Sequence, residues 1–98
     1  MENLVAGDLT IEASHPKPDA PIRVTWRGKS TDRQPSKILA PYFSTVLAEA
    51  VTHKVPIEMH FEDLDHLNSS TIASIIQVIQ EARGKAVRLV VVYDQAHK

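Results

Sequence analysis

Four isoleucines, Ile72, Ile75, Ile76 and Ile79, recur at spacings of three and four, the repeat of a helix with one apolar face. They stand between two segments of strand character. Upstream, Val55, Ile57, Met59 and Phe61 alternate with Pro56, Glu58, His60 and Glu62. Downstream, Val87 to Tyr93 is nearly continuous in hydrophobicity, the pattern of a strand covered on both faces and therefore central in its sheet. The order strand, helix, strand buries the isoleucine stripe when the two strands run parallel and the helix crosses between them in the right-handed sense. This second helix of the chain is predicted from about Ser69 to about Arg83. Asn68 or Ser69 caps its start, and Gly84 supplies the left-handed residue that stops it.

The first half of the chain completes the sheet. Leu9, Ile11 and Ala13 alternate with Thr10 and Glu12, and Ile22, Val24 and Trp26 alternate with Arg23, Thr25 and Arg27 up to Gly28. Two antiparallel strands follow, separated by a loop that holds Pro16, Pro18 and Pro21, with Trp26 in the core. A polar loop from Gly28 to Ser36 leads to a helix with apolar positions Leu39, Phe43, Val46, Leu47, Ala50 and Val51. Pro41 either opens this helix or distorts an earlier turn, and the reading adopted is Pro41 to His53. The expected fold is α/β: a mixed four-stranded sheet in the order β-β-α-β-α-β, with a parallel β-α-β unit and helices packed on the sheet. It forms one domain over residues 1–98 that ends soon after its last strand. An edge or face is then left for a partner, a second copy or residues beyond Lys98 to cover.

Composition narrows the function. Eleven basic and twelve acidic side chains give a net charge of −1, so the chain has no field able to neutralise a run of phosphates, and nucleic acid is not expected as a partner. With no cysteine, disulfides, thiolate metal sites and cysteine nucleophiles are excluded together. No leader and no long uncharged apolar run is present, so a cytoplasmic protein away from the membrane is expected. Only Gly7, Gly28 and Gly84 occur, which rules against a glycine-rich phosphate loop, and no cofactor is expected.

The residues best placed to act are Asn68, Ser69, Ser70 and Thr71. All are cap or turn formers and can serve only as a helix start. With the average direction of the four isoleucines taken as inward, however, Ser70 points roughly 170° away from the core, with Ser69 and Thr71 on the flanks at roughly 70° and 90°. Ser70 also lies in the first turn, where free N–H groups and the positive end of the helix dipole favour an added anion.

The succession of strand, Glu62-Asp63-Leu64-Asp65-His66-Leu67, Asn68-Ser69-Ser70-Thr71, isoleucine helix, Gly84 and valine-rich strand resembles the STAS domain of bacterial anti-sigma factor antagonists. The resemblance is good from about Val55 to Tyr93 and confined to element order before that. It implies a bacterial signalling protein that works by partner switching. The phosphorylated hydroxyl of the family falls on Ser70, its preceding serine on Ser69 and its acidic residue on Asn68. Thr71 stands in place of the usual Gly as a further acceptor, and His60 stands where many members carry an Asp. Losing the acidic residue at Asn68 removes a charge that would repel a phosphate or orient the hydroxyl for a kinase. The partner surface implied is Asp63, Asp65, His66, Leu67, Asn68, Ser69 and Ser70. The partners implied are a Ser/Thr kinase of the ATPase fold and a PP2C-type phosphatase, with a second copy of the chain as a further candidate. An Asn-Ser-Ser start is also similar to STAS-like regulators that resemble activators of cyclic-dinucleotide synthesis. The alternative is an unmodified structural or dimerisation module.

Catalysis is not expected. Ser70, His66 and Asp63 lack the Gly-x-Ser-x-Gly elbow of a hydrolase. His15, His53, His60, His66 and His97 include no helical i, i+4 pair of histidines and are read as exposed polar residues, with no metal site expected. Arg23, Arg27, Lys29 and Arg33 are read as a solvated strand face, and Trp26, Tyr42, Phe43 and Phe61 as core.

Overall fold

Among the described residues, alternating apolar residues, a tight reversal at Gly7 and a longer proline-rich loop build a sheet of five strands. The computed structural model describes residues 3–30 and 36–92. Strands β1 (Leu4–Ala6), β2 (Leu9–Ser14), β3 (Ile22–Ser30), β4 (Ile57–Leu67) and β5 (Leu89–Val92) lie in the order β1-β2-β3-β4-β5. The pairs β1/β2 and β2/β3 are antiparallel, and β3/β4 and β4/β5 are parallel. Helix α1 (Ser36–His53) joins β3 to β4, and α2 (Ser69–Gly84) joins β4 to β5.

Strand side chains alternate between faces. Ile11, Val24, Trp26, Ile57 and Met59 all enter one core with Phe43, Leu47, Ile75 and Val78 of the helices. Both helices therefore cover the same face of the sheet. Trp26 and Phe43 stack at its centre, with ring centroids 5.7 Å apart. The opposite face carries Glu12, Arg23, Arg27, Glu58 and His60 and is open to solvent. There the Arg27 side chain pairs with Glu12 at 3.2 Å and approaches Asp63 at 3.9 Å, while Arg23 approaches Glu58 at 3.9 Å. The basic strand face is thus balanced by its own carboxylates. Arg33 lies outside the described residues.

The architecture is the expected mixed α/β sheet with two helices, and the extent or place of five elements differs from the sequence reading. First, the strands among the described residues number five. β1 spans three residues, too few to show a period, and reverses through Gly7 at φ 59°. Second, β3 does not stop at Gly28. It runs on to Ser30 through Gly28 at φ 87°, where any Cβ would collide with the Asp8 carbonyl oxygen. Third, α1 begins at Ser36, with Pro41 inside it. The missing N–H costs that turn a hydrogen bond, and burial of Leu39 offsets it. Fourth, the acidic connector is strand. Asp63, Leu64, His66 and Leu67 pair with Arg27, Gly28, Lys29 and Ser30 across two register shifts. Fifth, β5 is an edge strand with Val90 and Val91 exposed, because nothing among the described residues pairs beyond it.

Helix termination also departs from expectation. Gly84 is the last residue of α2 and does not take the left-handed conformation; Ala86 does, at φ 58°. Ala86 N–H donates to Arg83 O at 3.1 Å and Val87 N–H to Ala82 O at 2.8 Å, the paired bonds of a Schellman end. Helix α1 ends alike: Lys54 lies at φ 55°, its N–H donates to Val51 O, and Val55 N–H donates to Ala50 O. In both cases a buried valine follows the left-handed residue and pulls the chain back toward the core.

Candidate protein-docking site

The C-terminal end of β4 runs directly into α2. Asn68 holds the junction with extended backbone at φ −81° and ψ 166°. Its Oδ1 accepts the Thr71 N–H at 2.9 Å, and its carbonyl accepts the Ile72 N–H at 3.1 Å. An amide oxygen therefore caps the helix as a carboxylate would, but without charge. The first turn contains no acidic residue. The N–H groups of Ser69 and Ser70 remain at the positive end of the helix, where an anion is favoured.

The buried side of α2 is formed by Thr71, Ser74, Ile75, Val78 and Ala82. This is a rotation of about a quarter turn from the isoleucine stripe. Small residues at Thr71, Ser74 and Ala82 let the helix backbone approach its neighbours, and the Ser74 hydroxyl is satisfied within the helix by donating to Ser70 O at 3.2 Å. Measured from this direction, Ser69 points most nearly outward at roughly 165°, with Ser70 at roughly 95°. Both are exposed. Thr71 is 0% exposed, which corrects its place among the acceptors: a kinase cannot reach its hydroxyl while the first turn is folded.

The rotation has a second result. Ile72 and Ile76 stay 43% and 48% exposed and continue the outward line from Ser69 at spacings of three and seven. At the end of β4, Asp63, Asp65 and His66 are exposed, and Asn68 at the junction is half-buried. The side chain of Leu67 lies outside what the structure describes. The expected docking residues thus share one end of the molecule, and the two isoleucines join them. Hydrophobicity alone could not have shown those isoleucines to be outward; the Thr71, Ser74, Val78, Ala82 repeat of small and apolar residues was the available signal.

Among the described residues, no hydrogen bond joins Ser70, His66 and Asp63. His60 lies away from this end, on the open sheet face. Its Nδ1 is 2.9 Å from Glu62 Oε1 and its Nε2 is 3.1 Å from Glu58 Oε1. The bond to Glu62 raises its pKa above the usual value; burial opposes the rise and Glu58 adds to it. At the opposite end of the sheet, His15, Glu49 and His53 come together. Here the reading of every histidine as exposed fails, since the His15 side chain is 6% exposed. The sequence signal was a carboxylate and a histidine, Glu49 and His53, one helical turn apart. No helix among the described residues is long and apolar enough to cross a membrane.

No family model matches the chain, and no curated protein matches it. Its class is set by the fold, a mixed sheet with both helices on one face and an N-terminal helix cap at the end of a parallel strand. Among solved structures it is similar to an antisigma-factor antagonist, a STAS domain from Rhodobacter sphaeroides, over 88% of this chain and 87% of that one, with a TM-score of 0.58 and 7% identity. The chain has the STAS fold.

Proposed function

We propose that the chain is a non-catalytic bacterial signalling regulator that binds a protein partner through the end of β4 and the start of α2. Phosphorylation of Ser70, or of Ser69 beside it, releases that partner. The observation that carries this reading is an exposed pair of hydroxyls at the positive tip of α2, heading the uncovered strip Ile72 and Ile76. Covering the exposed half of each isoleucine contributes about 1 kcal/mol. A phosphate brings about two negative charges beside that strip, and burying them unpaired costs several kcal/mol, so modification reverses the balance. The docked protein is a kinase of the ATPase fold or another signalling enzyme, one that makes cyclic dinucleotides included, and a PP2C-type phosphatase resets the switch in the cytoplasm.

A second reading is favoured by the exposed Val90 and Val91 on edge strand β5: an unmodified module that docks or dimerises by apolar surface alone. Phosphate mapping by mass spectrometry, on protein recovered from its host and on protein incubated with ATP and a kinase encoded beside it, separates the two. The switch expects phosphate on Ser70 or Ser69, lost in the corresponding alanine variants, and a partner retained by Ser70→Ala but released by Ser70→Asp. Absence of phosphate from Asn68 to Thr71, with binding indifferent to both variants, leaves the unmodified module.

A further inference from the structure

The loop after β2 and the last turns of α1 meet at the end of the sheet opposite the docking site. His15 enters from the loop, between Ser14 and Pro16. Glu49 and His53 come from successive turns of α1, four residues apart and on one helical face. The His15 Nδ1 lies 2.9 Å from Glu49 Oε2, and the His53 Nε2 lies 3.2 Å from the same oxygen. The two imidazole rings meet edge to face with centroids 5.0 Å apart. One donor atom from each of the three residues falls within 4.8 Å of the others.

Two further facts distinguish this cluster from a surface ion pair. His15 is almost wholly shielded, and its Nε2 is closed off from water with no hydrogen-bond partner. With the Nδ1 proton donated to Glu49, that nitrogen keeps an unused lone pair, which a buried imidazole does not ordinarily leave unsatisfied. Glu49 Oε2 is the atom that both imidazoles approach, so the one carboxylate oxygen joins the loop histidine to the helix histidine.

We propose that His15, Glu49 and His53 bind a divalent transition-metal ion of the zinc class. Two imidazoles and one carboxylate form a mixed nitrogen and oxygen set suited to zinc, cobalt or nickel, and unsuited to magnesium or calcium, which take oxygen. In a tetrahedral shell with metal bonds of about 2.0 to 2.1 Å, neighbouring ligand atoms lie about 3.3 Å apart. The two edges to Glu49, 2.9 and 3.2 Å, are close to that value, and all three donor atoms lie within 4.8 Å of one another. Coordination through His15 Nδ1, the nitrogen that faces Glu49, leaves the ring neutral with its proton on Nε2. Three protein ligands leave a fourth position for water or for a side chain of a bound protein. The ion ties the proline-rich loop to α1 and leaves the Ser69 and Ser70 end untouched, so this site stands whether or not the proposed switch does.

The test uses the full chain stripped of metal with a chelator and then titrated calorimetrically with zinc, with cobalt as an optical probe. The expected result is one zinc per chain, the absorption of four-coordinate cobalt, and a rise in melting temperature on loading. His53→Gln and Glu49→Gln weaken binding at least about tenfold, the loss typical of disturbing a metal shell. His53 is partly exposed, so its variant keeps the fold, checked by circular dichroism. His60→Gln and His66→Gln bind as the parent does. Absence of stoichiometric binding overturns the proposal. Binding that survives His53→Gln, or is lost with His60→Gln and so belongs to the sheet face, overturns it equally.

Discussion

Replacing Ser70 by Asp puts a carboxylate into a first helical turn that has no acidic residue, at the positive end of the helix dipole. A charge so placed at a solvent-exposed helix start stabilises by about 0.3–1 kcal/mol at low ionic strength. Ser and Asp differ little in helix propensity, so this term stands nearly alone. In a domain of this size about 1 kcal/mol moves the melting temperature by about 4–8 °C, and the expected rise is therefore about 1–8 °C. Ser70→Asn has similar shape without the charge and should not rise. At about 1 M salt the Debye length falls to about 3 Å and most of the gain should vanish. Thermal unfolding of the three proteins at low and high salt measures this without any knowledge of the partner. The same substitution is expected to abolish docking, so stability and binding move in opposite directions. A lower melting temperature for Ser70→Asp at low salt would refute the reasoning, since it would mean that the side chain points inward or that the helix begins later.

Three other substitutions check the rest of the structure. Ala86 occupies a left-handed conformation that costs an L-residue about 1–2 kcal/mol, while Gly84 sits in helical backbone with open space around a built Cβ. Ala86→Gly should stabilise by about 0.5–1 kcal/mol after its larger unfolded-state entropy is counted, and Gly84→Ala by a similar amount, both measured by urea denaturation. His60 has a pKa above its usual 6.5, so its contribution is complete below that value and is lost as pH rises through the folded-state value. The stability difference between the parent and His60→Gln should therefore be larger at about pH 5.5 than at about pH 8.5, and an unchanged difference would contradict the contacts with Glu62 and Glu58.

Strands β2 and β3, the start of β4 and the existence of α2 were legible because each buries one side of a regular repeat. Trp26 was legible as core for the same reason. What stayed hidden depends on partners that a local pattern does not contain. The facing of α2 is decided by how closely its backbone can approach the rest of the core, a question on which Thr71, Ser74 and Ala82 outrank two isoleucines. The left-handed residue after α2 is Ala86 and not Gly84, because Val87 must return to the core and fixes where the turn falls. The edge position of β5 could not be read from valine content, which is the same for a covered strand and for one awaiting cover. At the start of α2 the identity of the cap was legible and its geometry was not: a wheel centred on the wrong face made Ser70 the outermost residue and left Thr71 on a flank, whereas Thr71 lies at the centre of the buried side.

The misread connector explains why the proposed docking end has acidic groups at all. In β4 the inward positions begin as odd numbers, with Ile57 and Met59 buried. Continued without interruption, that alternation would turn Asp63 and Asp65 into the core and Leu64 out to solvent, at a cost of several kcal/mol for each unpaired carboxylate. The register shift opposite Thr25 and Arg27 inserts one residue into β4, so that Asp63 faces Arg27 on the open side and Leu64 lies opposite Gly28 in the core. A second shift, between Gly28 and Lys29, places His66 opposite Lys29. Eleven residues of β4 thus run beside nine of β3, and bulged strands bend and twist more than regular ones. The irregularity that disguised this strand as a loop is the means by which the end of β4 keeps Asp63, Asp65 and His66 in solvent just before the cap of α2 while Leu64 stays in the core.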